Sequence, residues 1–505
     1  MRINPLTAID FYKADHRSQY PQGTSEVYSN FTPRSYKHSR VLADFDGKVV
    51  MFGLQYFIKH FFMEVWEENF FKLPKEQVVK AYKRRMDNAL GPDAITVEHI
   101  AALHDLGYLP LKIKALPEGS RVPIGVPVLT VVNTHPDFFW LTNYIESVIS
   151  CYLWKPMTSA TTAFEYKRLL TQYAIKTGSP LDFVNFQAHD FSFRGLSSVQ
   201  DSLLSGAAHL TCFWGTDTVP AIDMVEDYYG ADATKEPVGF SVPATEHSVM
   251  CMGMQDGELE TFRRLITKTY PKGIVSIVSD TWDFWKVVTE YVAILKPEIL
   301  AREGKLVIRP DSGDPVLIVC GDPAAPLGSP EHKGAIQCLW DVFGGTVTET
   351  GYKMLDSHIG LIYGDSISLD RAEAIVKGLE AKGFASGNMV FGVGSYTYQY
   401  VTRDNFGFAM KATSGVVNGE RRDIFKDPKT DNGIKKSAKG LLRVEETGGR
   451  YILHDRQTPE QEAQGALEVV YEDGKLVKDQ TLAEIRGRID GALKSLMAKG
   501  EKIAA

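Results

Sequence analysis

The chain has 505 residues, a formal net charge of −7, 44% hydrophobic and 24% charged residues. That length exceeds one simple core and predicts either two domains or one elaborated barrel. The acidic balance excludes a general attraction to nucleic acid or anionic membrane, so any cationic site must be local.

The five cysteines, Cys151, Cys212, Cys251, Cys320 and Cys338, form no CxxC pair. They read as reduced thiols rather than a disulfide frame or zinc ribbon. The opening MRINPLTAIDFYKADH has no signal-peptide apolar core, and no run of 18 apolar residues occurs. The expectation is a soluble, cytoplasmic protein without membrane or nucleic-acid partners.

In chain order, residues 1–50 are polar and aromatic. Leu54, Phe57, Ile58, Phe61, Phe62, Val65 and Trp66 then recur at helical spacing, which predicts a core-facing helix. Residues 111–116 alternate, and 122–132 form a Pro/Gly-punctuated β run, so the pair reads as antiparallel structure at the rim of a first domain spanning 1–158. A helix is predicted over 159–177, entered through a Ser/Thr-rich start and closed by Gly178 and Pro180.

Beyond it, candidate strands at 184–188, 210–214, 239–242, 273–278, 306–308, 360–363 and 388–393 alternate with crossover segments such as 281–295 and 368–382. This alternation predicts an α/β fold with a parallel sheet closed into a (β/α) barrel over 159–400. The Gly/Pro/Asp-rich stretch 316–350 reads as a surface insertion. Residues 401–505 turn to short strands and basic loops, suggesting a return to the first domain. The chain closes in an amphipathic helix, capped by Thr481 and Glu484 and striped by Ile485, Ile489, Leu493 and Leu496.

The strand ends carry the chemistry. The run LVIRPDSGDP at 306–315 is a buried strand broken at once by turn formers, and Arg309 and Asp311 emerge from it side by side. Comparable polar sets follow the other strands: His189-Asp190-Phe191-Ser192-Phe193-Arg194, Gly215-Thr216-Asp217, Thr245-Glu246-His247, Ser279-Asp280, Gly364-Asp365-Ser366 and Gly392-Val393-Gly394-Ser395. A barrel gathers such ends on one face. The mixture of arginine, carboxylate and glycine suits a polyanionic substrate held partly through a divalent cation.

Taken singly, each feature has a structural alternative. Arg309 and Asp311 could be a salt bridge in a tight turn, Asp280 or Asp365 a helix cap, and His247 a satisfied core histidine. Gly392-Val393-Gly394 is only part of a dinucleotide fingerprint, and there is no Walker A, HExxH or GxSxG motif. A second basic set, Arg403, Lys411, Lys426, Lys435, Lys436 and Lys439, reads either as a solvated face or as a phosphate clamp.

The ordered series HDFSFRG, GTDT, SVPATEHS, VSIVSD, IRPDSGDP, GDS, TRD and FKDP closely resembles the nicotinamide phosphoribosyltransferases. The similarity runs from DFYKADH to KKSAKG and beyond, nearly the whole chain. It implies a type II phosphoribosyltransferase fold: an irregular barrel plus a β-rich domain built from both chain ends, assembled as a homodimer with shared active sites. The implied reaction joins nicotinamide to 5-phosphoribosyl-1-pyrophosphate, releasing nicotinamide mononucleotide and pyrophosphate. Mg²⁺ would enter on the substrate pyrophosphate, with its protein ligands left open. ATP would be a co-substrate, coupled through a phosphorylated histidine.

Matched motif by motif, the resemblance implies that Phe191 and the partner subunit's Tyr12 stack on nicotinamide. Asp217 would accept from the carboxamide N–H₂, Arg309 would hold its oxygen side, and Ser241 and Ser276 would complete the pocket. Asp311 and Asp365 would bind ribose hydroxyls. Gly364, Gly394 and Ser395 would line the 5-phosphate pocket, with Arg194 reaching pyrophosphate or the phosphorylated state. Arg34, Arg403, Lys411, Lys426 and Lys435 would clamp phosphates, partly across the subunit boundary. His247 would be the phosphorylated histidine, oriented by Asp280, so that His247, Asp280, Asp311 and Arg309 form the catalytic set.

Three departures from the family stand out. Ser395-Tyr396 replaces part of a glycine run, Ala409 replaces a serine phosphate donor, and 316–350 is longer than the family pattern. Two other readings compete: a nicotinate-specific enzyme of the same fold, which Asp217 disfavours, and a non-catalytic binding protein on this scaffold.

Overall fold

The computed structural model describes residues 3–425 and 438–504. One layer is a seven-stranded, largely antiparallel sheet in the order Glu420–Asp423, Ala409–Val417, Thr24–Thr32, Leu129–Asn133, Leu111–Ala115, Glu468–Glu472, Lys475–Leu476. Strands from the two ends of the chain thus interleave: Thr24–Thr32 lies between Leu129–Asn133 and Ala409–Val417. The C-terminal helix Leu482–Ala504 begins at the Thr481/Glu484 capping box, where Thr481 N donates to Glu484 Oε2 at 2.8 Å. It buries Ile485, Ile489 and Leu493.

The second unit is a parallel sheet of six strands, in the order Gly215–Thr216, Ala188–Asp190, Met389–Val393, Ile359–Tyr363, Glu303–Arg309, Lys272–Val278. Residues 240–244 link its two edges, Phe240 bridging to Gly215 and Ala244 to Ser276, and so close the ring. The strand Glu303–Arg309 shows why the sequence folds this way. Its period of two sends Leu306 and Ile308, fully buried, toward the covering helices, while Lys305, Val307 and Arg309 line the lumen. Barrels of this kind usually pack their interior solid. Here glycines at 215, 360 and 387 help leave a cavity of about 840 Å³.

The 32-residue helix Glu146–Thr177, about 48 Å long at 1.5 Å per residue, joins the two units. It starts well before residue 159, so the boundary expected at 158 falls inside it. The hydroxyls of Thr158, Thr161 and Thr162 donate to carbonyls four residues earlier at 2.7–2.9 Å, so the Ser/Thr cluster lies inside the helix and is not a start signal. Pro156 is accommodated because Gly53, at φ 100°, lets the backbone approach its ring; a Cβ there would stand 2.6 Å from Pro156 Cγ.

Other expectations are corrected in register. Residues 184–187 are a helical turn, and the strand is Ala188–Asp190. Leu210 ends the helix Val199–Leu210 and 211–214 are the turn behind it, which reads as a strand because it is mostly apolar and buried, and Gly215–Thr216 is the strand. The segment 316–350 is not a surface loop. It carries helices Pro315–Cys320, Pro330–Lys333 and Ala335–Phe343 and half of a hairpin, and it buries Val319, Ile336 and Leu339. Among the described residues no helix is long and apolar enough to cross a membrane.

Candidate active site

At the carboxyl ends of the barrel strands the side chains form three clusters. The first rests on Ala188–Asp190, whose pairing sets His189 beside Gly215. A Cβ at 215 would lie 2.8 Å from His189 Nδ1, so the glycine makes room for the imidazole. His189 Nε2 donates to Asp217 Oδ1 at 2.8 Å, and Ser241 Oγ donates to the same oxygen at 2.5 Å. Burial alone would raise the Asp217 carboxyl. His189, Ser241 and the Arg309 charge outweigh it and hold the group below the ordinary carboxylate value.

Phe191 lies beside this group, its ring centroid 4.8 Å from that of His189. Its backbone N–H is tied to Val393 O at 2.9 Å. Gly392 forms the bed for the ring, since a Cβ there would stand 2.5 Å from Phe191 Cδ2. Ser276 lines the same cavity, its hydroxyl buried without a partner among the described residues.

The second cluster surrounds the RPDSG turn. Tyr363 OH donates to Ser312 O and Gly313 O, both at 2.9 Å, and pins the turn. Asp280 Oδ2 accepts from Asp311 N at 2.9 Å, Ser312 N at 2.8 Å and Ser312 Oγ at 2.6 Å. Its Oδ1 is buried without a hydrogen bond among the described residues and lies 3.4 Å from His247 Nε2. The Asp280 side chain is 4% exposed and that of His247 51%, so a fixed buried carboxylate faces an accessible imidazole. Arg309 donates through Nη2 to Thr245 O, and its Nε lies 3.9 Å from Asp311 Oδ2. Asp311 Oδ1 is buried and has no hydrogen-bond partner among the described residues. Burial first, then the neighbouring Asp280 and Asp365, raise the Asp311 carboxyl against the pull of Arg309 and His247.

The third cluster closes the floor. A Cβ at Gly364 would collide with Asp311 Oδ1, and one at Gly195 would stand 2.6 Å from Ser395 Cβ. These contacts bring the loops carrying Asp365, Arg194, Gly394 and Ser395 to the same end of the barrel as Phe191 and Asp311.

Phe191, Asp217, Ser241, Ser276 and Arg309 therefore line one cavity. Tyr12, 60% exposed, does not line the cavity of its own chain. Arg34 and Arg403 lie together on the sheet unit: burial and the Arg403 charge both lower the Arg34 pKa, and Arg34 Nε donates to Gly407 O at 2.8 Å. Lys411 sits on the strand opposite Asn30. Lys426, Lys435 and Lys436 lie outside the described residues. Sequence reasoning gave no role to His189 or to Thr245, whose hydroxyl accepts from Val278 N at 2.9 Å while its carbonyl holds Arg309. The available signal for His189 was the glycine at 215, which only the paired register turns into a vacancy.

A flat ring can lie on Phe191 with an N–H group toward Asp217. The His247–Asp280 pair can carry a transferable group, and Asp311 Oδ1 is free for a hydroxyl or a cation. Among the described residues no group of three His, Cys, Asp or Glu side chains is placed to hold a metal ion.

An irregular parallel barrel joined to a sheet built from both chain ends is the architecture of type II phosphoribosyltransferases. Two solved structures share the fold: nicotinate-nucleotide pyrophosphorylase from Pyrococcus furiosus (TM-score 0.55, 15% identity, 97% of this chain and 96% of that one) and human nicotinic acid phosphoribosyltransferase (TM-score 0.50, 16% identity, 95% and 92%). Residues 186–475 match the model of the nicotinate phosphoribosyltransferase family, and residues 4–113 match the N-terminal domain of nicotinamide phosphoribosyltransferase. A protein of Acinetobacter baylyi named nicotinamide phosphoribosyltransferase is 63% identical over 500 residues, covering 98% of both chains. The chain belongs to the nicotinamide phosphoribosyltransferase family.

Proposed function

We propose that the protein transfers the 5-phosphoribosyl group of phosphoribosyl pyrophosphate to nicotinamide, giving nicotinamide mononucleotide and pyrophosphate in NAD salvage. The observation that carries this reading is the ionised Asp217, held by His189 and Ser241 beside Phe191. Its free lone pairs suit the carboxamide N–H₂, and its charge repels the carboxylate of nicotinate. The same observation disfavours the nicotinate-specific alternative.

Phe191 and the partner subunit's Tyr12 hold the ring face to face, so that its nitrogen points along the line of displacement. The remaining donors of Arg309 take the carboxamide oxygen. Asp311 and Asp365 fix the ribose hydroxyls, and their negative charge favours the positive charge that develops at the anomeric carbon as its bond to pyrophosphate lengthens. Gly364, Gly394 and Ser395 cradle the 5-phosphate. Arg194, Arg34, Arg403, Lys411, Lys426 and Lys435 stabilise the departing pyrophosphate, some of them across a homodimer boundary. The buried, unpartnered Asp311 Oδ1 fits a hydroxyl or a hydrated Mg²⁺ that arrives on the substrate. When bound, the ion would neutralise charge on the leaving pyrophosphate.

His247 is the acceptor for a phosphoryl group from ATP, and Asp280 orients its ring. The enzyme works in the cytoplasm. The test is product formation from phosphoribosyl pyrophosphate and Mg²⁺ with nicotinamide or nicotinate, each with and without ATP. Mononucleotide from nicotinamide, enhanced by ATP, is the expected result; product from nicotinate alone would overturn the role of Asp217. His247→Ala should lose the ATP enhancement and keep basal transfer. An ATP response that survives the substitution would remove the phosphohistidine.

A further inference from the structure

Ser366 follows Asp365 directly and has φ 52°, a left-handed conformation that side chains other than glycine and asparagine rarely adopt. Such a conformation persists only where the surroundings hold it. The holder is Arg371, whose Nη1 donates to Ser366 O at 2.6 Å. Arg371 stands in the first turn of the helix Leu369–Ala381, so a regular element carries the tether. Its guanidinium in turn lies 5.8 Å from the ring centroid of Tyr396, within cation–π range, and Tyr396 packs on Tyr400 at 5.2 Å. Tyr396 belongs to the turn that begins at Gly394-Ser395. The two loops on either side of the floor are therefore joined through this arginine, beside the direct hydrogen bond from Thr397 Oγ1 to Ile367 O at 2.9 Å.

We infer that Arg371, covered by Tyr396, is a positioning residue for the phosphoribosyl group. It holds the 364–366 loop in its left-handed turn, so that Asp365 and the Gly364 backbone face the ribose and its phosphate, while the Thr397–Ile367 hydrogen bond keeps the next residue of that loop against the 394–398 turn. This assignment rests on the proposed reading that the two loops hold the phosphoribosyl group. It also gives the tyrosine that interrupts the family's glycine run a role: the turn loses backbone freedom and gains a contact that glycine cannot make.

The test compares steady-state constants for both substrates in the parent, Arg371→Ala, Arg371→Lys and the double variant Arg371→Ala/Ser366→Gly, with thermal melting recorded beside them. Loss of a charge-assisted hydrogen bond should raise KM for phosphoribosyl pyrophosphate about tenfold in Arg371→Ala, with KM for nicotinamide close to the parent. Lysine can still reach the carbonyl and should recover part of the loss. Glycine adopts the left-handed turn without a tether, so Ser366→Gly should rescue the alanine variant. If both KM values move together, or only the melting point falls, Arg371 is merely structural and the inference fails. Failure of the double variant to rescue would also overturn it.

If Arg371→Ala does not fold, Tyr396→Ala provides the same test. It should raise KM for phosphoribosyl pyrophosphate selectively, and Tyr396→Phe, which keeps the ring, should stay nearer the parent; equal behaviour of the two would sink the inference. Absence of transfer in the parent itself would instead be a failure of the functional reading.

Discussion

Asp217→Asn should lower the preference for nicotinamide over nicotinate by about thirtyfold. Asn keeps the shape of the side chain and an oxygen to accept from His189 and Ser241, so the pocket geometry survives while the charge goes. A nicotinate carboxylate seated where the carboxamide belongs would lie about 4 Å from Asp217, and two unit charges at that distance repel by about 4 kcal/mol at an effective dielectric of about 20. The Asp217 side chain is 43% exposed, so solvent screening removes roughly half of this. About 2 kcal/mol remains, equivalent to the thirtyfold factor. The assay is the ratio of kcat/KM for the two substrates at saturating phosphoribosyl pyrophosphate, in parent and variant. A ratio that changes by less than about twofold would show that discrimination resides elsewhere, and the charge argument would be wrong.

Two further outcomes test other parts of the site. Gly392→Ala places a methyl group 2.5 Å from Phe191 Cδ2 and 2.8 Å from Gly364 Cα, so the ring must move. KM for nicotinamide should rise about tenfold, and an unchanged KM would show that Phe191 does not carry the ring. Asp311→Asn should stabilise the unliganded protein while depressing transfer. The folded-state pKa of Asp311 is raised by burial, so the folded chain holds the proton more tightly than the unfolded one, and ionisation at neutral pH costs stability. Tm at pH 7 should therefore rise by roughly 1–2 °C, with the gap closing as pH falls through the range just above the ordinary carboxylate value. A variant that melts below the parent at pH 7 would contradict the sign.

The strands over 272–278, 303–309, 359–363 and 389–393 were legible because each is an apolar run stopped by Gly, Pro, Asp or Ser, a pattern that survives burial on both faces. Ala188–Asp190 was misplaced because its side chains at 189 and 190 are polar: they serve the site rather than the core, and periodicity reads the core. The apolar stretch before Gly215 misled for the opposite reason, as a buried turn behind a helix end carries no period. The structure seats Phe191, Asp217, Ser241, Ser276 and Arg309 in one cavity, yet His189 went unassigned. Its partner is 28 residues away, just past the end of the neighbouring strand, a spacing fixed by register alone. The tether from Arg371 to Ser366 was equally invisible, since nothing in the sequence announces that a serine will take a left-handed turn.

The interleaving of the chain ends has a temporal side. Thr32 and Ala409, where its neighbouring strand begins, are about 380 residues apart in the chain. At synthesis rates of about 5–20 residues per second, the first strand waits roughly 20–75 s for that neighbour. Throughout that interval one edge of Thr24–Thr32 presents unpaired backbone groups, a template for association with another chain. The barrel strands from Ala188 to Val393 all emerge during the wait, so the catalytic unit can be assembled before the sheet that flanks it is complete.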